Sequence, residues 1–140
     1  PNLVISSNSL IFSKELLNLN DTVFVNRHTS LLPTYKGLLP VVHAIINNED
    51  KIGVSLHTME TNIDCGNLLA QEQILLNNEK NLHKIYDKAF KISSTLTLKV
   101  IENVEMHKSD FIKNDLKSSY YSFPSKSDLK KFKAMGGNFI

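Results

Sequence analysis

The chain has 140 residues, a net charge of +2 and hydrophobic residues at 41% of its positions. That length fits one domain or a piece of one, and the composition is typical of a globular rather than a disordered chain. The 16 basic and 14 acidic residues are too balanced to indicate a nucleic-acid partner, and no apolar run approaches the roughly 20 residues that span a bilayer, so we expect no membrane partner.

The predicted elements alternate between strands and helices. In chain order they are a strand over 2–6, a helix over 13–17, a strand over 22–25, a loop over 26–37, a helix over 40–47, strands over 51–59 and 68–76, a helix over 81–104, an extended segment over 120–124 and a helix over 127–135. Ser13 can cap the first helix, and apolar residues at helical spacing mark the longest one. Strands and helices that interleave in this way predict the α/β class.

The beginning of the chain is unusual for a domain. Pro1 is followed almost at once by the apolar run from Leu3 to Ile5, which reads as a buried strand. A domain rarely begins inside a core strand. We therefore expect further sequence upstream.

Polar residues that can perform chemistry follow two predicted strands. Asn26 and His28 come directly after the strand that ends at Val25, and Asp64 lies in the turn between two later strands. Residues two apart point the same way in extended chain, and active sites of open sheets lie beyond the carboxyl ends of strands. An Asn, a His and an Asp can together stabilise an oxyanion and move a proton. Alone, each could equally be an ordinary turn or loop residue.

The spacing of these residues resembles the signature of the folate-dependent formyltransferases. Asp64 lies 36 residues after His28 (64 − 28), within the segment Ile63-Asp64-Cys65-Gly66. The residues between 26 and 37 that carry the resemblance are Asn26, His28, Ser30, Leu31, Leu32, Pro33, Tyr35 and Gly37. The similarity extends from Pro1 to about Phe132. It implies a Rossmann-like formyltransferase domain that lacks its amino-terminal strands, with residues 1–140 as the carboxy-terminal part of one catalytic domain.

The resemblance also implies an activity and a set of roles. A formyl group would pass from 10-formyltetrahydrofolate to an amine. Asn26 and a protonated His28 would donate to the formyl oxygen, while Asp64 would keep His28 charged and accept the proton of the amine. Residues Leu10, Ile11, Phe12, Ser30, Leu31, Leu32, Pro33, Asn62 and Ile63 would form the folate site, and Tyr35 and His57 would contact the substrate.

His57 could also be a half-buried strand histidine, and the two interpretations stay open. The scattered histidines and the single cysteine match no metal-ligand spacing, so we expect no metal. Because Cys65 has no second cysteine with which to form a disulfide, a reducing, cytoplasmic location is expected.

The identity of the amine remains open. The favoured acceptor is an amino sugar nucleotide or another small amine, because the charge balance does not suit the many phosphate contacts that binding tRNA requires. Formylation of methionyl-tRNA is the alternative within the same chemistry, and a non-catalytic folate-binding fragment is the alternative outside it.

Overall fold

The described residues, 2–7, 11–105 and 111–140 of the computed structural model, form six strands and four helices. In chain order these elements are β1 (Leu3–Ser6), α1 (Lys14–Leu17), β2 (Val23–His28), β3 (Lys36–Gly37), α2 (Pro40–Ile46), β4 (Lys51–Thr58), β5 (Leu68–Leu75), α3 (Leu82–Glu105), β6 (Tyr120–Tyr121) and α4 (Lys126–Ala134). The predicted α/β class is confirmed.

Four of the strands form one mixed sheet in the order β1-β2-β4-β5. β1 runs parallel to β2, whereas β2 with β4 and β4 with β5 are antiparallel. A second, two-stranded parallel ladder joins β3 to β6. The four-stranded sheet therefore carries two of the catalytic candidates, Asn26 and His28, and the small ladder joins the later part of the chain to the segment after β2.

The hydrophobic core lies between the sheet and the helices. α3 packs against β4 and β5, and α2 contacts β4 and α4. Buried side chains from all of these elements join into one cluster, with Val25, Val54, Leu56, Ile74, Val100 and Phe132 among its most enclosed members. β4 is buried on both faces between Ile52 and His57, so its side chains are fixed by packing on either side.

Capping residues mark the ends of two helices. The Ser13 side chain accepts the N–H of Leu16 and caps α1. α4 begins with a capping box in which Ser125 and Asp128 satisfy each other's backbone N–H groups, one residue earlier than the sequence suggests. Gly136 follows α4 with φ +86°, the left-handed conformation that commonly ends a helix.

One boundary differs from the prediction in a way that matters for function. Asn26, Arg27 and His28 are not in a loop: they are the last three residues of β2. They pair with residues 55–57 of β4, and this pairing to a buried neighbour extends the strand beyond its apolar run. The candidate side chains are therefore held by a sheet rather than by a flexible connection.

Within the described residues, no helix is long and apolar enough to cross a membrane.

Candidate active site

A cleft of about 430 Å³ opens where β1 and β2 end and where β4 leads into the turn over 59–64. Asn26, His28, His57 and Asp64 all line it. Its walls also include Ser7, Leu38, Met59, Tyr86 and Tyr120. The position fits the rule that ligand sites of open α/β sheets lie beyond strand ends.

Asn26 and His57 meet because their strands are paired. They are direct cross-strand partners in the β2–β4 ladder, and the register shifts between Leu56 and His57. The Asn26 Nδ2 atom lies 3.4 Å from His57 Nε2, and His57 Nδ1 donates to the carbonyl oxygen of Thr58 at 2.8 Å. His57 is almost fully buried, so its ring orientation is fixed from both ends.

Asp64 reaches the same place from the turn after β4. The base of this turn is closed by hydrogen bonds between Thr58 and Asn67, and a side chain at Gly66 would collide with the Thr58 carbonyl oxygen. Asp64 itself has φ +51°, a left-handed conformation that aspartate tolerates. The constricted turn thus brings the carboxylate back over the sheet.

The Asp64 carboxylate lies beside one backbone N–H and two histidine rings. Oδ2 accepts the Gly37 N–H at 2.8 Å and lies 3.6 Å from His28 Nδ1, and Oδ1 lies 3.4 Å from His57 Nε2. Burial raises the pKa of Asp64, but the interactions with His57 and His28 and the Gly37 N–H together bring that pKa below its ordinary value. Asp64 is therefore ionised at neutral pH.

His28 is buried and holds one proton in a fixed place. Its Nε2 lies 2.8 Å from the carbonyl oxygen of Tyr35, which can only accept, so Nε2 is the protonated nitrogen of the neutral ring. Burial lowers the pKa of His28, and this effect exceeds the opposing influence of Asp64 and of the Tyr35 carbonyl. The direction of this shift favours a neutral ring, with a free lone pair on Nδ1, and the charged His28 implied by the resemblance stays a prediction.

The Asn26 amide has an oxygen without a partner. Oδ1 is buried and accepts no hydrogen bond in the described part of the chain. A half-turn of the amide would bring this oxygen to His57 Nε2 and leave the NH2 group for the cleft. Either orientation leaves one polar group of Asn26 for a ligand to satisfy, because an unpaired buried polar group is costly.

Some of the residues predicted to bind folate line the cleft. Ile11 and Phe12 lie after β1, and Asn62 and Ile63 lie in the turn before Asp64. The Phe12 ring packs edge-on against Phe24 of β2, with 6.0 Å between the ring centroids. Leu10, predicted with them, lies outside the described residues.

The segment 30–33 does not reach the cleft. Ser30 and Leu31 line a separate cavity of about 170 Å³, and Leu32 and Pro33 line neither. The Ser30 carbonyl and the Leu32 N–H both bond to the buried hydroxyl of Ser55, which fastens this segment behind β4. Folate contact by these four residues stays a prediction, while their described hydrogen bonds hold the segment to Ser55.

Tyr35, predicted to contact substrate, is also displaced from the cleft. Its ring stacks on Tyr121 at 5.2 Å between centroids, and its hydroxyl donates to Glu49 at 2.7 Å. Burial raises the pKa of this hydroxyl beyond its ordinary range. Only the Tyr35 carbonyl touches the candidate site, through His28. His57, the other predicted substrate contact, does line the cleft, although its near neighbours are Asn26 and Asp64.

Several cleft residues were not predicted as such from the sequence, and three of them bear on the chemistry. Gly37 belongs to the motif that carries the resemblance, but its contact with Asp64 is made by the backbone N–H, which the residue type does not reveal. Tyr120 comes from β6, more than 50 residues after Asp64 along the chain. Arg27 points away from Asn26 and His28, because successive side chains of a strand alternate between its two faces. A predicted strand that ran to His28 rather than to Val25 would have indicated this direction. The Arg27 guanidinium donates to Ser93 at 2.6 Å and lies 4.0 Å from the centroid of the Phe90 ring.

The described residues contain no group of three or more His, Cys, Asp or Glu side chains that could hold a metal ion.

Comparison with known proteins places this geometry in a family. The family model described as Formyl transferase matches residues 2–101. A methionyl-tRNA formyltransferase from Wolbachia pipientis subsp. Culex pipiens is 34% identical over 102 residues, which cover 73% of this chain and 34% of the relative. The chain thus spans about a third to two fifths of the length of the curated relatives that it matches.

Solved structures of sugar N-formyltransferases have the same fold. An N-formyltransferase from Helicobacter canadensis, described in complex with folinic acid and dTDP-3-aminofucose, has a TM-score of 0.69 and 27% identity over 85% of this chain and 51% of its own. A 4-N formyltransferase from Francisella tularensis has a TM-score of 0.75 and 26% identity, covering 94% of this chain and 59% of its own. The predicted Rossmann-like formyltransferase fold is confirmed, and the chain belongs to the formyl transferase family.

Proposed function

We propose that the protein containing this chain transfers a formyl group from 10-formyltetrahydrofolate to an amine. The observation that carries this proposal is the convergence of Asn26, His28 and Asp64 on one cleft, with Asp64 between the two buried histidines His28 and His57. The family membership supports the same reaction.

The first step is attack of the amine nitrogen on the formyl carbon. A C–N bond forms, and negative charge develops on the formyl oxygen. With its amide turned so that the NH2 group faces the cleft, Asn26 donates to that oxygen from a position fixed by β2 and His57. A donor held in place before the reaction contributes about 3 kcal/mol to such a transition state.

Proton transfer balances the reaction. Asp64, ionised, accepts the proton that the attacking amine loses. His28 has its free Nδ1 3.6 Å from Asp64, so the proton can pass to His28, whose imidazolium is then held between Asp64 and the Tyr35 carbonyl. When the bond from the formyl carbon to N10 breaks, its electron pair stays on N10, and N10 takes the proton back from His28. The products are the formamide and tetrahydrofolate.

The folate side of the cleft is formed by the segments after β1 and before Asp64. Ile11 and Ile63 are exposed apolar side chains in the cleft, and Phe12 lies beside them. Apolar walls with a few polar groups suit a flat aromatic ligand such as a pterin. Structures of sugar N-formyltransferases contain folate derivatives, which is consistent with this assignment.

For the acceptor we favour an amino sugar nucleotide. Among the residues that line the cleft in the described chain, Arg27 is the only lysine or arginine. Its guanidinium contacts Ser93 and Phe90, and only its buried Nη2 has no partner among the described residues. Recognition of tRNA depends on many cationic contacts with phosphates. The cleft fits a small acceptor better.

Methionyl-tRNA is the second candidate, favoured by the names of the curated relatives. Curated relatives that are 34% and 35% identical to this chain are methionyl-tRNA formyltransferases. The reacting group would again be an amine, and the roles of Asn26, His28 and Asp64 would be unchanged.

The test is a side-by-side comparison of acceptors with the full-length protein. Purified protein is given 10-formyltetrahydrofolate and, separately, methionyl-tRNA, dTDP-3-aminofucose and other amino sugar nucleotides, and tetrahydrofolate release is measured. We expect release that depends on an amine, with the highest kcat/KM for an amino sugar nucleotide. A highest value for methionyl-tRNA would replace the acceptor, and no amine-dependent release would refute the proposed function.

A further inference from the structure

We propose that Tyr120 determines acceptor specificity by packing its ring against the sugar that carries the reacting amine. This inference rests on the proposed function, because it assigns a wall of the same cleft. Tyr120 lines the cleft, and its side chain is more than half exposed.

The position of Tyr120 is fixed by the small β3–β6 ladder. The Lys36 N–H donates to the Ser119 carbonyl at 2.9 Å, and the Leu38 N–H donates to the Tyr121 carbonyl at 3.0 Å. These bonds lie on either side of Tyr120 and hold its backbone beside β3. The backbone that carries the ring is therefore fixed, although the preceding segment, residues 111–119, has no regular secondary structure.

Gly37 connects this ring to the reacting groups. The Gly37 N–H donates to Asp64 Oδ2 at 2.8 Å, and a side-chain carbon built on Gly37 would lie 3.1 Å from Tyr120 Cε2. With standard backbone dimensions, the edge of the ring is within roughly 9 Å of the Asp64 carboxylate. An amine next to Asp64 would thus place the atoms attached to it close to Tyr120.

The adjacent ring of Tyr121 is stacked between other rings, whereas the ring of Tyr120 is not. Tyr121 stacks between Tyr35 and His43, with centroid distances of 5.2 and 4.5 Å. Among the described residues, Tyr120 has neither a stacked ring nor a hydrogen bond through its hydroxyl. A large aromatic side chain left open in a cleft and next to a catalytic carboxylate is suited to contact a ligand.

The chemistry of the ring indicates what it contacts. Lys36 is the ladder partner of Tyr120, and its ammonium lies 3.2 Å from Cys65 Sγ. An aromatic face favours a neutral, carbon-rich surface, and one face of a deoxy amino sugar offers such a surface beside its amine. The ring face, unlike the hydroxyl, offers nothing specific to a phosphate. We therefore assign Tyr120 to the sugar of the acceptor rather than to its diphosphate or to folate.

The experiment compares three variants of the full-length protein: Tyr120→Ala, Tyr120→Phe and Phe123→Ala. Phe123 is an equally exposed aromatic residue three positions later that does not line the cleft, so it serves as the matched control. Steady-state kinetics are measured with dTDP-3-aminofucose, and binding of tetrahydrofolate is measured by calorimetry. Circular dichroism reports whether each variant folds.

We expect Tyr120→Ala to raise the KM for the amino sugar about tenfold while kcat changes by less than about threefold, as for a contact made equally in ground and transition states. Tyr120→Phe and Phe123→Ala should behave like the wild type, and tetrahydrofolate affinity should be the same in all four proteins. An unchanged KM in a folded Tyr120→Ala variant, or a weakened tetrahydrofolate affinity, would overturn the assignment while leaving the proposed function intact. A wild-type protein that formylates no amino sugar would overturn both the acceptor and this inference.

Discussion

Replacing Asp64 by asparagine is the sharpest perturbation of the proposed mechanism, because it removes one charge with little change of shape. The amide oxygen can still accept the Gly37 N–H, which lies 2.8 Å from the carboxylate. The amide NH2 would then face Nδ1 of His28 or Nε2 of His57, where the carboxylate now lies at 3.6 and 3.4 Å. The fold of the turn should persist.

The expected loss follows from what the carboxylate does for its neighbours. An amide cannot take the proton of the amine, and an NH2 group bonded to His28 Nδ1 would also occupy the lone pair that relays it. A group that acts only in the transition state is worth about 100-fold to 1000-fold in kcat, or roughly 3–4 kcal/mol. We therefore expect Asp64→Asn to lower kcat by at least about 100-fold, with little change in folate affinity.

Glu60 offers a matched control for this experiment. It is another carboxylate that lines the same cleft, but it is exposed and forms no ion pair with a residue of the described chain. Glu60→Gln makes the same change of charge without touching His28 or His57. The assay is tetrahydrofolate release at saturating 10-formyltetrahydrofolate, with tetrahydrofolate binding measured separately. If Asp64→Asn retains turnover within about tenfold of the Glu60→Gln protein, the role of Asp64 as proton acceptor is wrong.

The other predictions concern its neighbours. Because burial lowers the pKa of His28, an NMR titration of the ring should give a midpoint below the unperturbed value of about 6.5. Asp64→Asn should lower this midpoint further, since Asp64 favours the charged ring. A midpoint that rises in the variant would contradict this assignment. The same shift makes the folded protein lose stability as pH falls from about 6.5 through the folded pKa of His28, and chemical denaturation of a His28→Gln variant should show a weaker acid dependence. Gly37→Ala should destabilise the protein by about 2 kcal/mol or more in thermal unfolding, because Gly37 has φ +96° and the added carbon would collide with the Tyr121 carbonyl oxygen. Asn26→Ala should lower kcat by about 100-fold with tetrahydrofolate affinity nearly unchanged, and equal losses in both would indicate a structural role instead.

Much of the framework could be predicted from local patterns. The apolar spacing over 81–104 identified α3 because one helical face must pack on the sheet. Ser13 marked the start of α1 because its oxygen satisfies a free backbone N–H. These features depend on neighbours a few residues away along the chain, so they can be read from the sequence.

The sequence also indicated which polar residues to examine. Asn26, His28 and Asp64 were selected by residue type and spacing through resemblance to a family, before any geometry was known. That reasoning could not supply their environment. The protonation of His28 depends on its burial and on the Tyr35 carbonyl, and neither is a property of the residues adjacent to His28.

Only the tertiary structure decided which residues share the cleft. Pairing with β4 turned residues 26–28 into strand and set Asn26 opposite His57. Hydrogen bonds to the Ser55 hydroxyl hold the segment 30–33 against β4. The β3–β6 ladder places Tyr120 near Asp64, which is distant along the chain. In each case the deciding contact joins segments distant in sequence. Its free energy comes from strand pairing and burial, which no local pattern of residues records.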